Sequence, residues 1–265
     1  MKESTMTYQF ITVERDGPIT TITLNRPQVM NALHSPMHFE MDEALNAFAA
    51  DPDQWVGIIT GAGERAFSAG NDLKWQASGG KMGSPPSGFA GLTTRFDLAK
   101  PLIAAVNGVA MGGGFEIALA CDLIIASETA VFALPEPKVG LAALAGGMHR
   151  LPRAIGLKRA MGMILTARRV SAREGEALGF VNEVAPPAEL MVAARRWAGL
   201  ICECGPMSIR ASKATVMRGL DEPSLASALQ NQRGYAEIKA LVASEDFIEG
   251  PLAFSQKRPP QWKGR

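Results

Sequence analysis

A chain of 265 residues suggests one large domain or two small ones, and 47% hydrophobic with 20% charged residues is the balance of a soluble globular protein with an ample core. A formal net charge of +1 argues against a broadly basic nucleic-acid surface, and no apolar run approaches the roughly 18–20 residues of a membrane-spanning helix, so neither nucleic acid nor membrane is an expected partner. Three cysteines, Cys121, Cys202 and Cys204, and three scattered histidines, His34, His38 and His149, point to no structural disulfide and no metal cluster. The first ten residues lack the apolar segment of a signal peptide, which makes a reduced, cytoplasmic location the expectation.

In chain order, residues 8–26 read as a β-hairpin, with alternation from Phe10 to Glu14, a turn at Asp16-Gly17 and a β-branched run from Ile19. A helix over residues 35–50 follows, with Asn31 or Ser35-Pro36 as its cap and Met37, Met41, Leu45 and Phe48 at helical spacing. Residues 55–60 are a short buried strand, and a second short strand precedes the turn at residues 66–72. Residues 78–88 are rich in Gly, Ser and Pro and predict a mobile loop. A helix is predicted over 89–98 and a buried strand over 101–106. Beyond residue 136, helices are predicted over 145–155, 157–166 and 172–178, and a last strand over 180–184. From residue 188 only helical patterns follow, broken at Gly205-Pro206, at 221–223 and at Ala243-Ser244. The chain divides into an α/β part, residues 1–190, and a helical part, residues 191–265.

Three stretches carry chemistry. The first is M-G-G-G-F-E, Met111 to Glu116, between an apolar strand and a helix. Glycines at a helix start admit close approach, and the free amides there favour an anion, so an oxyanion site or a tight helix–strand contact both fit. The second is A-F-S-A-G-N-D-L, Ala66 to Leu73, where the Asn71 amide is a second candidate donor and a plain capped turn is the alternative. The third is Pro135-Glu136-Pro137, where two prolines stiffen the backbone around a carboxylate or merely frame a loop exit. His149 reads as a surface or packing residue, Met161 and Met163 as helix core, and Lys257-Arg258 with Lys263-Gly264-Arg265 as a solvated basic tail.

Together these stretches resemble the crotonase superfamily, the enoyl-CoA hydratase/isomerase family. The resemblance extends through K-P-L-I-A-A-V-N-G-V-A-M-G-G-G-F-E-I-A-L-A-C-D, F-A-L-P-E-P-K-V-G, G-G-M-H-R-L-P-R-A-I-G and A-L-G-F-V-N-E-V, in order along nearly the whole chain. It implies an α/β fold, a crotonase-like spiral of ββα units followed by a C-terminal helical trimerisation domain, and a homotrimer or dimer of trimers. It implies an acyl-CoA thioester whose carbonyl oxygen sits between the amides of Asn71 and Gly113, with Glu116 and Glu136 flanking the double bond. By motif position Ala69, Gly70, Asp72, Leu73 and Gly112 surround the thioester, Arg26 and Lys74 lie in loops turned toward CoA, and Lys257 reaches a neighbour's CoA. No metal and no cofactor beyond the CoA of the substrate is implied. The implied activity is reversible hydration of an enoyl-CoA.

One subgroup matches further. F-A-G-L-T-T-R-F-D-L-A-K-P and the tail S-E-D-F-I-E-G-P-L-A-F-S-Q-K-R-P-P-Q-W-K-G-R look like those of carnitinyl-CoA dehydratases. A trimethylammonium group would want an aromatic face, for which Trp75, Phe89 and Phe96 are available. Two departures from the subgroup stand out: Asn71, where the subgroup tends to carry an aromatic residue, and the wholly apolar Leu141 to Ala145, which points to a greasier acyl pocket. The rival readings are an enoyl-CoA isomerase with one working base, and a non-catalytic acyl-CoA or RNA-binding scaffold, which would not need both glutamates.

Overall fold

The computed structural model describes residues 8–265, so most of the N-terminal stretch weighed for a signal peptide lies outside the described residues. The chain opens with β1 (Ile11–Asp16) and β2 (Ile19–Leu24), antiparallel in the register Asp16↔Ile19, as the hairpin pattern predicts. Gly17 takes φ +54 in the turn. Next comes α1 (Ser35–Ala50), whose Met37, Met41, Leu45 and Phe48 are all buried along one stripe. Its N-cap is His34, not Asn31 or Ser35. Asn31 instead adopts φ +53, and its buried amide receives the Arg26 N–H and donates to the carbonyls of Ala62 and Ala66.

From there the chain winds between two sheets. β3 (Val56–Gly61) leads to β4 (Ala66–Ser68) and α2 (Leu73–Ala77). β5 (Leu102–Val106) leads to β6 (Val109–Met111) and α3 (Gly113–Ala120). β7 (Leu123–Ser127) leads to β8 (Val131–Ala133), then α4 (Gly147–Ile155) and α5 (Leu157–Thr166). β9 (Val170–Ser171), α6 (Ala172–Leu178) and β10 (Glu183–Ala185) complete the spiral. The first sheet has the order β1-β2-β3-β5-β7-β10 and the second β4-β6-β8-β9, so after the opening hairpin each turn of the spiral contributes one strand to each sheet. This is the ββα spiral that the resemblance implies.

The central strands are parallel and buried on both faces, and their residues alternate between two cores. Ile59, Ala104, Val106, Ile124 and Ala126 join α1 and α3 in the larger core. Val56, Ile58, Ile103, Ala105 and Ile125 face α7 (Leu190–Cys202), which meets them with Leu190, Ala193, Ala194 and Ala198. The alanines let this helix lie close to the sheet. Four more helices follow: α8 (Pro206–Gly219), α9 (Leu225–Asn231), α10 (Ala236–Val242) and α11 (Glu245–Ser255). The three predicted breaks fall between helices, and a 3₁₀ turn at Gln232–Gly234 adds a fourth.

Three expectations need correcting. Residues 89–98 are no helix: only Phe89–Gly91 make a 3₁₀ turn. Ala90 and Gly91 have positive φ, and the Thr93 and Thr94 hydroxyls bond the Phe89 N–H and the Pro86 carbonyl, which competes with a helical ladder. The strand placed at 180–184 lies at Glu183–Ala185. Met163 is core, but Met161 is 40% exposed. Lys257, Lys263 and Arg265 of the basic tail are exposed, as expected, while its backbone is held: Asp246 receives the amides of Lys263 and Gly264, the Trp262 indole donates to the Glu203 carbonyl, and Arg258 pairs with Glu249. His149 is exposed, as expected.

Candidate active site

The site is built on glycines that let three backbone segments touch. α3 starts at Gly113, after Gly112 with φ +53. A Cβ on Gly114 would stand 2.1 Å from the Ser68 carbonyl oxygen, so only glycine lets α3 sit on β4 at this point. Gly70, at φ +86, faces the same helix start: a Cβ there would lie 2.6 Å from the Met111 oxygen and 2.8 Å from the Gly113 nitrogen. The 69–71 turn and the Gly112-Gly113 turn are therefore in direct backbone contact.

Two amides emerge from this contact. Gly113 is the first residue of α3, so its N–H has no intrahelical acceptor. Asn71 makes a parallel bridge to Leu33, in which Leu33 N–H donates to the Gly70 carbonyl at 2.7 Å and Asp72 N–H donates to the Leu33 carbonyl at 2.8 Å. A bridge of this kind uses the flanking residues and turns the Asn71 N–H the other way. No acceptor for it exists among the described residues. The positive end of α3 adds to the field at this point.

Two carboxyl groups stand beside the turn. Glu116, on the first turn of α3, is 3% exposed. It accepts the Gly147 N–H at 2.8 Å on Oε1. Burial, opposed by that bond and reinforced by Glu136, raises its pKa to about 7. Glu136 opens the 3₁₀ turn Glu136–Val139, and its Oε1 lies over Gly112, 2.7 Å from where a Cβ would be. Its Oε2 is buried with no hydrogen-bond partner, and burial raises its pKa as well. An unpaired buried carboxyl oxygen is costly unless something arrives to meet it. Two carboxyl groups held near neutrality by burial, one of them also raised by the other's charge, can divide into a proton acceptor and a proton donor.

The remaining predicted residues separate into groups. Asp72 caps α2 through the Trp75 N–H at 3.0 Å and pairs with Arg26 at 2.9 Å. Burial raises the Asp72 carboxyl, but the Trp75 amide and Arg26 outweigh it and hold it low. Arg26 also donates to the Ala32 carbonyl, so its guanidinium is used inside the fold. Ala69 N–H is held by the Met30 carbonyl. Leu73 and Lys74 are exposed on α2, and Lys257 is exposed with φ +53 just past α11. Of the 141–145 segment, Leu141 and Leu144 are exposed and Ala143 is buried.

Sequence reasoning overlooked two contributors and left the place of a third, Phe89, open. Gly147 holds Glu116, and a Gly-Gly pair opening a helix was the available signal. Leu33 orients Asn71 through the bridge, which no local pattern announces. Phe89 packs on Gly113, 2.5 Å from where a Cβ would be, and meets His38 edge to face with ring centroids 4.4 Å apart. Burial, and then His34, lowers His38 to about 4, so its neutral Nδ1 can accept the Ala90 N–H at 2.9 Å. Of the aromatic candidates, Phe89 is the one beside the amides. Trp75 is packed by Gly80 and His34, and Phe96 lies beneath Arg150.

Converging backbone donors with two buried carboxyl groups, on a ββα spiral, define a class: enzymes that move protons next to a carbonyl that takes on negative charge. Comparison with known proteins narrows the class. Residues 14–265 match the enoyl-CoA hydratase/isomerase family. Carnitinyl-CoA dehydratases of Salmonella arizonae and Salmonella typhi are each 45% identical, over 94% and 95% of this chain and 97% of theirs. An enoyl-CoA hydratase of Mycobacterium tuberculosis superposes with a TM-score of 0.90 at 36% identity, covering 97% of this chain and 99% of its own. A carnitinyl-CoA hydratase of Mycobacterium avium does so with a TM-score of 0.77 at 40% identity, covering 98% and 100%. The chain belongs to the enoyl-CoA hydratase/isomerase family, within the crotonase superfamily.

Proposed function

We propose that this protein adds water reversibly across the 2,3 double bond of an enoyl-CoA thioester. Membership of the family together with the paired carboxylates makes it a hydratase-type lyase. The observation that carries the reading is the pair of carboxyl groups beside the glycine turn: Glu116, buried on the first turn of α3, and Glu136, whose Oε1 lies over Gly112 and whose Oε2 is buried without a partner. In the proposed reaction Glu116 takes a proton from water as its oxygen bonds to the β-carbon. Glu136 gives a proton to the α-carbon, and the roles reverse in dehydration. The amides of Asn71 and Gly113 meet the thioester oxygen as it gains enolate charge, each worth about 10²–10³ in rate. An isomerase needs a single base, and the second carboxylate argues for hydration.

A second reading has a specific observation in its favour: the relatives at 45% identity are named carnitinyl-CoA dehydratases. The acyl group would then carry a trimethylammonium, with Phe89 the aromatic face beside the site. Asn71 and the apolar 141–145 segment favour a plain acyl chain. A steady-state panel of short- and medium-chain 2-enoyl-CoAs, a 3-enoyl-CoA and crotonobetainyl-CoA tests both. The expected result is hydration of a plain 2-enoyl-CoA at least as fast as crotonobetainyl-CoA. A strong preference for the betaine establishes the second reading, and double-bond migration without hydration overturns both.

Residues 191–265 are proposed to form the contacts of a homotrimer or a dimer of trimers. Apolar side chains left exposed on this part, among them Leu225, Ile248 and Phe254, support it. The site needs no metal and no cofactor beyond the CoA of the substrate. Among the described residues no helix is long and apolar enough to cross a membrane, and a cytoplasmic location is proposed.

A further inference from the structure

One side chain outside the carboxylate pair touches both walls of the site. α4 begins after Gly146, at φ +102, and the next amide, Gly147, holds Glu116. Arg150 closes this first turn by donating its backbone N–H to the Gly146 carbonyl at 2.8 Å. Its guanidinium then folds back over the same glycine: a Cβ on Gly146 would lie 2.2 Å from Nη1. Nη2 donates to the Thr93 carbonyl at 2.8 Å, and the guanidinium lies 5.8 Å from the Phe96 ring centroid. Thr93 in turn accepts the Phe89 N–H on its hydroxyl at 3.0 Å, and Phe89 is the ring seated on Gly113. The clamp on Glu116 and the wall against the Gly113 amide thus meet at one residue.

The charge of Arg150 matters as much as its reach. A partly buried guanidinium with five donors ordinarily meets a carboxylate. Among the described residues Arg150 has no ion pair. The acidic groups within its field are Glu116 and the Cys121 thiol, which burial keeps protonated, and Arg153 is the opposing cation. Glu116 faces two charged groups, Glu136 and Arg150. The strands β4, β5, β6 and β7 and residues 89–91, which pack against α3, carry no titratable side chain.

We infer that Arg150 is a positioning residue for turnover: it fixes the Gly146-Gly147 turn that aims Glu116, and it supplies the positive charge against which Glu116 ionises in a buried site. The inference rests on the proposed role of Glu116. Its test is the pH dependence of kcat and KM, measured with the faster of crotonyl-CoA and crotonobetainyl-CoA on wild type, Arg150→Gln, Arg150→Lys, Phe96→Leu and Glu116→Gln. Without the cation, Arg150→Gln is expected to move the acid limb of kcat up by about half a pH unit and to lower kcat at pH 7 by about two- to fivefold, with KM within about threefold. Arg150→Lys keeps the charge but loses the fork, so its acid limb stays near wild type while kcat recovers in part. Phe96→Leu removes an exposed ring beneath the guanidinium and should shift the limb less, in the same direction, even where Arg150→Gln fails to fold. An unmoved acid limb in whichever of Arg150→Gln and Phe96→Leu folds, or a change in KM alone, overturns the role of Arg150. Wild-type turnover in Glu116→Gln instead overturns the reading beneath it.

Discussion

Gly147 donates its amide to Glu116 Oε1 at 2.8 Å inside the protein, and a side chain on Gly147 would press on the carboxyl it holds, because a Cβ would lie 3.0 Å from Glu116 Cγ. The bond fixes one carboxyl oxygen and leaves the other to act. It also limits how far burial can raise the group, because the charged form accepts the amide more strongly than the neutral one.

The first prediction concerns pH. Glu116 titrates at about 7, above the ordinary glutamate value of 4.5, so hydration that needs its carboxylate should fall about tenfold per unit below pH 7. For stability the sign is the reverse. A folded pKa raised above the unfolded one favours the native state below the unfolded value, and that advantage is lost as pH rises through about 7. Glu116→Gln should therefore stabilise the protein at pH 8, by about 2–3 kcal/mol, and have little effect at pH 4. Thermal melts at the two pH values check this, and equal effects at both would remove the buried-charge argument.

Turnover should need both carboxylates. Glu116→Gln and Glu136→Gln are each expected to lower kcat by about 10²–10⁴ with modest changes in KM. The double variant should be little worse than the singles, since the two act in one proton transfer sequence. If either single variant hydrates at near the wild-type rate, that residue has no proton to carry.

Closing the contact between the two turns should damage both fold and rate. Gly70→Ala places a Cβ against the Met111 carbonyl and the Gly113 nitrogen and forces a side chain onto φ +86. A stability loss of about 1–3 kcal/mol is expected, with a drop in kcat larger than the rise in KM. Gly114→Ala, which meets the Ser68 carbonyl, should be the more destabilising of the two. Chemical denaturation and steady-state kinetics on the two variants measure this.

Arg26 should act through Asp72. With side chains only 12% and 8% exposed, breaking the pair by Arg26→Ala should cost about 3 kcal/mol. KM should then rise equally for an enoyl-CoA and for the matching enoyl-pantetheine, because the disturbed element is the 69–74 turn. A rise confined to the CoA thioester would instead assign Arg26 a contact with the CoA phosphates.

Much of the scaffold was legible because its signals are local. The hairpin has a turn at Gly17 and alternating flanks, α1 has its stripe from Met37 to Phe48, and α5 and α6 stand at the predicted residues. The 89–98 segment misled because its apolar residues suit a helix, while Gly91 and the Thr93 and Thr94 hydroxyls redirect the backbone. The placing of Arg26 in a loop turned toward CoA rested on its charge and its motif position, and neither shows what holds its guanidinium. Its neighbour Asp72 lies 46 positions on, and no pattern shows the pair.

By itself the sequence determined the alternation of strands and helices, the helical character of the last third, and which two glutamates and which glycine run are the candidates for the chemistry. Residue type and short-range spacing suffice for these, because capping, periodicity and motif are properties of neighbours along the chain. Only the tertiary structure decided that Gly70 touches Gly113, that Leu33 turns the Asn71 amide outward, that Gly147 grips Glu116 and that Arg26 is occupied by Asp72. Each of these joins segments on different turns of the spiral. Their distances are set by how closely sheet and helices pack, which depends on absent side chains at glycines as much as on present ones.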